Sequence, residues 1–399
     1  MKPFIHKLHL WSGLVFGVIL ALQGLTGAAL GWRHELDALL NPGLLQVAPP
    51  PGMQAGLDLR VTPQAAQAAL DRLTQDPAYG KPNMLMFPES AGDVFIAWYR
   101  PAPGGGMWNQ PVTRQVMVDP ATLAVTGERN WGEAGLSRPL LMPTLFHLHR
   151  YLLAGDGGKV VVAIEGVLLA FSALTGIIVW WPKLTRAALW KAITFRVAGP
   201  WTRFSFQSHR ALGFWIALPL LFSALSGVHF NMPDWTRPLV SLAGPVTPNA
   251  KLANKAKAAT PVAPAVAVEA AQARFPQARV SRLSLPGNPK QPYEIRLRQP
   301  GELRQGDGAT RVSVDASDGA LLRVIDPLTA QGGDRVTGLL FPLHTGEAFG
   351  NIGRAAVSVY GLVLLALFPT GLTIWLSRRR ARAKRDVLPR TVEKEAAAA

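Results

Sequence analysis

The sequence contains four apolar runs, and each is long enough to cross a lipid bilayer as a helix. The runs are 20 to 23 residues long, and Glu165 is the one side chain in them that is ionised at pH 7. About 20 apolar residues in a helix match a hydrocarbon core of about 30 Å. We therefore predict four transmembrane helices, over residues 10–32, 160–181, 211–230 and 355–376.

The first run also has features of a cleaved secretory signal. It follows a short basic start and ends near Ala28 and Ala29, which resemble the small residues at a cleavage site. The run is longer than the apolar part of most signals, and it takes part in the internal repeat described below. We therefore interpret it as a membrane anchor.

The net charge of +16 is concentrated in short segments that flank the apolar runs. Segments 1–8, 182–208 and 377–399 carry +2, +5 and +5, whereas the long segments 33–148 and 232–343 carry −2 and +5. Short basic flanks stay on the cytoplasmic side of a membrane. We therefore predict that both termini and the middle loop are cytoplasmic. The basic excess is a topology signal, and it does not indicate nucleic-acid binding.

The overall composition excludes several classes of protein. The chain has no cysteine, which excludes disulfide frameworks, iron–sulfur clusters, thiolate zinc sites and covalently attached c-type haem. Charged residues make up 17% of the chain and hydrophobic residues 49%, which excludes intrinsic disorder.

The chain repeats itself at a period of about 200 residues. Four histidines stand at fixed distances before a glycine in the apolar runs. The separations are 18 residues (His9 to Gly27 and His209 to Gly227) and 27 residues (His149 to Gly176 and His344 to Gly371). Equal spacing in both halves is hard to obtain by chance. We predict that each half consists of a helix, an extramembrane domain and a second helix.

Each extramembrane segment combines a helix with strands. Apolar residues at helical spacing predict the helices, and alternating apolar residues that end in turn signals predict the strands. The predicted helices are 61–73 and 266–275, and the predicted strands are 94–99, 114–120, 293–298 and 311–319.

These patterns divide the chain into eight segments. The second and fourth membrane segments each begin with an interfacial stretch. The segments are four membrane segments (1–32, 146–182, 207–231 and 341–377), two extramembrane domains (33–145 and 232–340), a basic cytoplasmic loop (183–206) and a basic cytoplasmic tail (378–399).

Two groups of motifs resemble a known family. Residues 118–122 (Val-Asp-Pro-Ala-Thr) and 314–319 (Val-Asp-Ala-Ser-Asp-Gly) end a helix-then-strand pattern that is similar to the PepSY domain. The apolar runs carry His-x-x-x-Gly, Leu-His-Arg before Gly-Asp-x-Gly-Lys, Thr-Gly and Trp-Trp-Pro. These motifs resemble the PepSY-associated transmembrane family over nearly the whole chain.

This resemblance implies a fold and a location. The expected fold is a membrane α-helical protein with four transmembrane helices in two helix–domain–helix repeats and two periplasmic α+β PepSY-like domains. The family includes a ferrisiderophore reductase that carries haem in its membrane bundle. The expected location is therefore the bacterial inner membrane, with a multi-pass topology.

The eight histidines all lie in or beside the apolar runs, where ionisable groups are costly and usually functional. The repeat places His9 with His209 at the cytoplasmic face and His149 with His344 at the opposite face. Four neutral imidazoles in two pairs are what two six-coordinate b-type haems require. We therefore predict two non-covalent bis-His haems with these four residues as axial ligands.

Other polar residues beside the runs have secondary roles in this hypothesis. Arg150 and Arg210 follow two of the ligands and are predicted to pair with haem propionates, although snorkelling to lipid phosphate is the commoner fate of such residues. Glu165 is either a proton relay, a partner of a ligand nitrogen or a neutral acid in the bundle. The alternative ligands are histidines without a repeat partner: His34, His147 and His229, with His6 on the inner side.

The leading hypothesis is a di-haem reductase that passes electrons across the membrane and reduces an Fe(III)–siderophore at the periplasmic face. Its predicted partners are the siderophore, membrane lipid and a cytoplasmic or quinol electron donor, with no nucleic acid. The sequence has no Walker, dinucleotide or flavin fingerprint, so a partner must supply the electrons. Two other functions stay open: a membrane-anchored PepSY protein that binds or regulates without redox activity, and a siderophore or metal permease.

Overall fold

The chain divides into two compact units in a computed structural model that describes residues 2–49, 51–54, 60–101, 106–248, 250, 252–256 and 260–396. A helical unit comprises Met1–Ala28, Val161–Asn231 and Ala356–Ala399. A sheet unit comprises Ala29–Val160 and Met232–Ala355. Each unit therefore takes residues from both halves of the chain.

The described residues form twelve α-helices and eight β-strands. The helices are α1 (Lys2–Leu30), α2 (Arg33–Leu40), α3 (Pro42–Leu45), α4 (Pro63–Gln75), α5 (Arg138–Tyr151), α6 (Gly155–Trp180), α7 (Arg186–Ile193), α8 (Trp201–Asn231), α9 (Pro233–Val240), α10 (Pro264–Arg274), α11 (Gly332–Thr345) and α12 (Gly350–Ala396). The strands are β1 (Met84–Met86), β2 (Phe95–Trp98), β3 (Thr113–Val118), β4 (Val125–Trp131), β5 (Arg279–Ser284), β6 (Tyr293–Arg298), β7 (Thr310–Val314) and β8 (Leu321–Ile325).

Four helices, α1, α6, α8 and α12, are long and apolar enough to cross a membrane. This confirms the prediction of four transmembrane helices. The helices begin five to ten residues before the apolar runs, because a helix that satisfies its own backbone can continue beyond the hydrocarbon region. His9 and His209 consequently lie inside α1 and α8, and not at their first residues.

The basic segments 183–206 and 378–399, which the sequence predicted as a loop and a tail, contain more helix than that prediction gave them. The loop 183–206 includes α7 and the first turns of α8. The tail 378–399 continues α12 as far as Ala396. Both segments are rich in Ala, Arg and Lys, which are strong helix formers.

Close helix packing in the helical unit depends on glycines at matched positions. A Cβ added to Gly361 of α12 would lie 2.5 Å from the carbonyl oxygen of Gly24 in α1. A Cβ added to Gly166 of α6 would lie 3.0 Å from the carbonyl oxygen of Ala224 in α8. Gly166 and Gly361 each stand 17 residues after a histidine of the repeat. Both helix crossings therefore use a missing side chain to bring two backbones together.

The eight strands form one antiparallel sheet in the order β4-β3-β2-β1-β5-β6-β7-β8. The sequence predicted two α+β domains, and each segment does supply a helix and four strands. However, β1 pairs with β5, which joins the two sets of strands in one sheet. α4 and α10 pack against each other and share a single hydrophobic core with both sets of strands. This pairing also covers the two sheet edges that separate domains would expose.

Helices cover the second face of the sheet in the first half of the chain. α3 and α5 contact β4, and α2 contacts α5. Arg129 of β4 donates two hydrogen bonds of 2.9 and 2.8 Å to the carboxylate of Asp37 in α2. Its Nε donates to Gln115, 2.7 Å away. The ion pair is buried. The hydrogen bonds that the guanidinium group donates offset the cost of removing both charges from water.

Candidate functional site

Two histidines of the helical unit lie against glycines at matched positions. A Cβ added to Gly176 of α6 would lie 3.2 Å from Cε1 of His9, which belongs to α1. A Cβ added to Gly371 of α12 would lie 3.1 Å from Cε1 of His209, which belongs to α8. The missing side chains allow each imidazole to lie directly on the neighbouring helix.

The ring of His9 is oriented by hydrogen bonds to α6. Its Nδ1 lies 3.1 Å from the carbonyl oxygen of Ser172 and 3.3 Å from Oγ1 of Thr175. The Thr175 hydroxyl donates its own hydrogen to the carbonyl of Phe171, 2.9 Å away, so it faces the ring as an acceptor. A carbonyl oxygen only accepts, so Nδ1 carries the proton and Nε2 carries the lone pair.

The ring of His209 has the same arrangement on α12. Its Nδ1 lies 3.0 Å from the carbonyl oxygen of Leu367 and 3.1 Å from Oγ1 of Thr370. The Thr370 hydroxyl donates to the carbonyl of Ala366 at 2.9 Å. His209 therefore has the same tautomer as His9, with the lone pair on Nε2.

The two imidazoles lie close together inside the helical unit. The centroids of His9 and His209 are 6.4 Å apart, and the ring planes make an angle of 77°. A bond from a metal ion to an imidazole nitrogen is about 2 Å long. Two such bonds, together with the distance from each ring centroid to its nitrogen, add up to about the observed distance between the two centroids. Imidazoles whose other nitrogen donates to a carbonyl are also the usual form of a metal-bound histidine.

Two glycines one helical turn after the histidines have open space at their Cβ positions. Gly13 and Gly213 follow His9 and His209 by one helical turn, and a Cβ added to either would have no heavy atom of the described chain within 4 Å. A flat macrocycle needs such a surface beside its axial ligand. The residues of this site therefore fit a six-coordinate bis-His haem iron.

His149 and His344 belong to the sheet unit. They lie in the last turns of α5 and α11, and both are half-buried. After α5 the chain turns through Leu152 and Leu153, whose φ angles of 48° and 57° are left-handed, and it enters α6 directly afterwards. Both histidines therefore precede a membrane helix by a short connection, as predicted. Their pairing across one iron stays a prediction.

His147 lies in an aromatic cage of the sheet unit. Its ring centroid is 5.7, 5.4 and 5.3 Å from those of Trp131, Phe146 and Tyr151. The residue is 5% exposed, and neither ring nitrogen makes a hydrogen bond within the described chain. Burial, together with the charge of Arg150, lowers the pKa of His147 to about 4, so the ring is neutral at pH 7. A neutral imidazole with two unused nitrogens keeps its capacity to bind iron, which makes His147 the strongest alternative to His149.

The remaining histidines have other surroundings. Nε2 of His34 lies 3.6 Å from Asp93, and the interaction with that carboxylate raises the pKa of His34 to about 9. His34 is therefore protonated at pH 7 and has no lone pair for iron. His6 accepts a hydrogen bond of 3.0 Å from Arg378. His229 is half-buried near the end of α8.

The two arginines predicted to bind propionates have contacts within the protein. Arg210 donates to the carbonyl oxygen of Lys191 and lies 5.7 Å from the ring centroid of Phe206. Arg150 lies over Tyr151, 5.5 Å from its centroid. Pairing of either arginine with a propionate stays a prediction.

A polar pair lies deeper in the helical unit. Glu165 of α6 is 4% exposed, and Gln23 of α1 is its polar neighbour. Within the described chain, neither oxygen of Glu165 nor the amide nitrogen of Gln23 makes a hydrogen bond. At the matched positions in the second half, the hydroxyls of Tyr360 and Ser223 are hydrogen-bonded at 2.6 Å.

The sequence prediction missed the two threonines that help to orient His9 and His209. Thr175 and Thr370 each stand directly before the glycine on which a histidine ring lies. The Thr-Gly pair was recognised as part of the repeat, and the recurrence of threonine was the available signal. The main-chain carbonyl acceptors leave no such signal, because any residue supplies one.

Comparison with known families gives one match. The family model described as the PepSY-associated TM region matches residues 6–378. The matched range takes in the four long apolar helices, down to the start of the basic tail, and all eight strands. No curated protein matches the chain.

Proposed function

This chain belongs to the PepSY-associated transmembrane family, and we propose on that basis that it is a di-haem reductase of the bacterial inner membrane. In this proposal, electrons cross the membrane and reduce an Fe(III)–siderophore at the periplasmic face. The observation that carries the proposal is the inner histidine pair. His9 and His209 lie 6.4 Å apart, and both direct Nδ1 to a helix carbonyl.

The proposed topology follows from charge and spacing. The basic flanks keep both termini and the loop 183–206 in the cytoplasm, which leaves the sheet unit in the periplasm. The chain then consists of two helix–domain–helix repeats. The inner pair belongs to the cytoplasmic side, and His149 with His344 belong to the periplasmic side, with His147 as the alternative outer ligand.

The protein's contribution to electron transfer is to hold and tune two iron centres. Haem supplies reversible one-electron transfer when it is bound. The hydrogen bonds from Nδ1 of His9 and His209 fix the ring orientation and raise the basicity of Nε2. Gly13 and Gly213, one helical turn after the two histidines, leave space for a macrocycle.

The reaction at the periplasmic face needs one electron for each iron. The Fe(III) of the chelate accepts the electron and becomes Fe(II), and no bond forms between iron and the protein. Fe(II) carries less charge, so oxygen ligands hold it less tightly and iron is released. The electron comes from a cytoplasmic or quinol donor. A quinol also releases protons, and Glu165 is a buried group that is able to accept one.

Absorption spectra of the purified full chain test this proposal. We expect a b-type spectrum whose Soret band shifts on reduction with dithionite, and about two haems per chain. His9→Ala and His209→Ala should each remove about half of the haem, and the double variant should remove no more than either alone. His6→Ala separates His9 from the alternative ligand one turn before it. His6 accepts a hydrogen bond from Arg378, so this variant should leave the haem content unchanged, and loss of haem would assign the ligand to His6.

A second measurement tests the reaction itself. The protein is reconstituted in liposomes and reduced, and Fe(II) released from a ferric siderophore is trapped by a coloured Fe(II) chelator. A folded but colourless protein would contradict the proposal and favour the binding or permease functions. A red protein that fails to reduce any ferric chelate would contradict the reductase activity alone.

A further inference from the structure

The second half of the sheet carries a row of arginines on the face opposite α10. Alternate residues of β6 join the hydrophobic core, which places Arg296 on the other face. The strand register pairs Arg296 with Arg282 of β5 on one side and with Arg311 of β7 on the other. Three arginines thus stand at one level on neighbouring strands, an arrangement in which like charges destabilise a sheet.

One carboxylate lies among these side chains. Asp307 is 2.5 Å from Arg282, 3.3 Å from Arg296 and 3.7 Å from Arg304, which comes from the loop between β6 and β7. The side chains of these four residues are between 15% and 27% exposed, so solvent reaches the cluster. A single carboxylate shared among several guanidinium groups leaves positive charge uncompensated.

The charged groups around the cluster do not cancel its positive charge. Both carboxylates and arginines lie nearby, and when they are added to the cluster the arginines still outnumber the carboxylates. The surrounding groups are Glu89, Glu294, Glu347, Arg33 and Arg323.

The cluster also has unused binding capacity. Burial and the charges of the neighbouring arginines lower the pKa of Arg296 from its ordinary value, which reflects like charges held close together. Nε of Arg282 is buried and makes no hydrogen bond within the described chain. A buried donor without an acceptor is costly, and a group that accepts its hydrogen bond would relieve this cost.

The geometry limits the ligand that suits this row. Guanidinium groups bind carboxylates through two parallel hydrogen bonds. Neighbouring strands are about 4.8 Å apart, so three arginines on adjacent strands span about 10 Å. A patch of this width accommodates one small molecule with two or three carboxylates.

We propose that Arg282, Arg296, Arg304 and Arg311 form a binding site for a small polycarboxylate. Within the function proposed above, the site docks a ferric chelate that bears carboxylates. That second step rests on the proposed function, whereas binding of the iron-free polycarboxylate does not.

Calorimetric titration of iron-free citrate into the full chain in detergent tests the site. We expect the unmodified protein to bind citrate at low ionic strength. Arg296→Gln and Arg282→Gln should each weaken binding by about tenfold or more, because each removes hydrogen bonds between charged groups. Arg72→Gln is the matched control, since Arg72 pairs with Asp76 on α4, which packs on the opposite face of the sheet. It should leave the affinity unchanged.

Thermal unfolding separates loss of the site from loss of the fold. Arg296→Gln removes a charge that faces two like charges, so its midpoint without citrate should equal or exceed that of the unmodified protein. The rise in midpoint that citrate causes in the unmodified protein should be absent in this variant.

Three results would overturn the inference: no citrate binding by the unmodified protein, an equal loss of affinity in Arg72→Gln, or loss of haem from Arg296→Gln with citrate binding unchanged. The last result would assign the row to haem propionates. Citrate binding by a colourless protein would support the site and remove the reductase proposal. The two proposals can therefore fail separately.

Discussion

The two halves of the chain are alike in the hydrogen bonds of His9 and His209. They differ at the polar pair of the helical unit. In the second half, Ser223 and Tyr360 share a hydrogen bond of 2.6 Å. The matched residues of the first half, Gln23 and Glu165, are not hydrogen-bonded through the amide nitrogen or the carboxylate oxygens within the described chain. The residues that surround His9 and His209 are therefore of the same type in both halves, whereas the residues of the polar pair are not.

This difference separates two kinds of polar group in the membrane helices. The hydroxyl pair of the second half is satisfied and links α8 to α12. The acid of the first half is buried at a cost, and ionisable residues of this kind in membrane spans are usually functional. The same kind of substitution made at matched positions in both halves therefore tests whether the two residues contribute equally to stability or haem binding.

The largest expected effect concerns the glycines at the helix crossings. Gly361→Ala places a Cβ against the backbone oxygen of Gly24, which cannot move without separating α1 from α12. We expect it to lower the free energy of unfolding by about 3 kcal/mol. Gly166→Ala meets a side-chain atom of Val228 first, at 2.7 Å, and that group can rotate. The nearest backbone atom, the oxygen of Ala224, is 3.0 Å away, which is farther than the 2.5 Å at Gly361. Its expected cost is about 1 kcal/mol.

Denaturant titration in detergent, followed by circular dichroism, measures both variants. Gly338→Ala is the control, because a Cβ at this position in α11 has no heavy atom of the described chain within 4 Å. Alanine forms helices better than glycine, so this change should not destabilise the protein. Equal losses in the Gly361 and Gly166 variants would show that the two crossings are energetically equivalent.

The second prediction concerns the polar pair, where the two halves should respond with opposite signs. Glu165→Met removes a buried acid without a hydrogen bond, and we expect it to raise the free energy of unfolding by about 1–2 kcal/mol. Tyr360→Phe removes one partner of a hydrogen bond, and we expect it to lower the free energy by about 1 kcal/mol.

The same unfolding titration measures both signs. If Glu165 accepts protons from a quinol, Glu165→Met should also slow quinol-driven reduction, whereas Tyr360→Phe should not. A loss of stability in Glu165→Met would indicate that the acid has a stabilising partner, and it would remove the proposed contrast between the halves.

The third prediction concerns the threonines beside the inner histidines, where the two halves should respond alike. Thr175→Val and Thr370→Val each remove one of the two acceptors that face Nδ1, while the carbonyl oxygen remains. We expect each to weaken haem retention by about threefold to tenfold. Thr373→Val is the control, because Thr373 lies one turn from Thr370 on α12 and its hydroxyl is hydrogen-bonded to Pro369 and Trp201. Unequal losses would show that the two ligands are not equivalent.

The sequence predicts those parts of the fold that depend on a pattern within one short segment of the chain. A membrane span needs a long apolar run, so the four membrane helices were visible. The strand 293–298 was predicted with the bounds of β6, because its apolar residues alternate and face a core. β1, β4, β5 and β8 were missed. The pairing of β1 with β5 joins residues that are far apart in sequence, and local patterns carry no record of such a contact.

The candidate site divides in the same way. Equal spacing identified His9 and His209 as a pair, because a repeat leaves its mark in sequence. The aromatic cage of His147 and the ion pair of His34 were not visible, because their partners come from distant segments such as Trp131 and Asp93. A histidine's protonation state depends on those partners.

The smallest expected effect concerns His34, which has no equivalent in the second half. The carboxylate of Asp93 raises the pKa of His34 from 6.5 to about 9. The ion pair therefore stabilises the fold fully below pH 6.5, and this contribution is lost as the pH rises through about 9.

His34→Gln removes the charge of this pair, and thermal unfolding at pH 6 and pH 9.5 measures its contribution. The side chain is 49% exposed, and solvent screening limits the contribution to about 1 kcal/mol or less. We expect His34→Gln to unfold at a lower temperature than the unmodified protein at pH 6 and at the same temperature at pH 9.5. Asp234→Asn breaks an exposed pair with Arg237, which does not titrate in this range, so its effect should be the same at both pH values. A pH-independent difference for His34→Gln would show that His34 acts through packing and not through its charge.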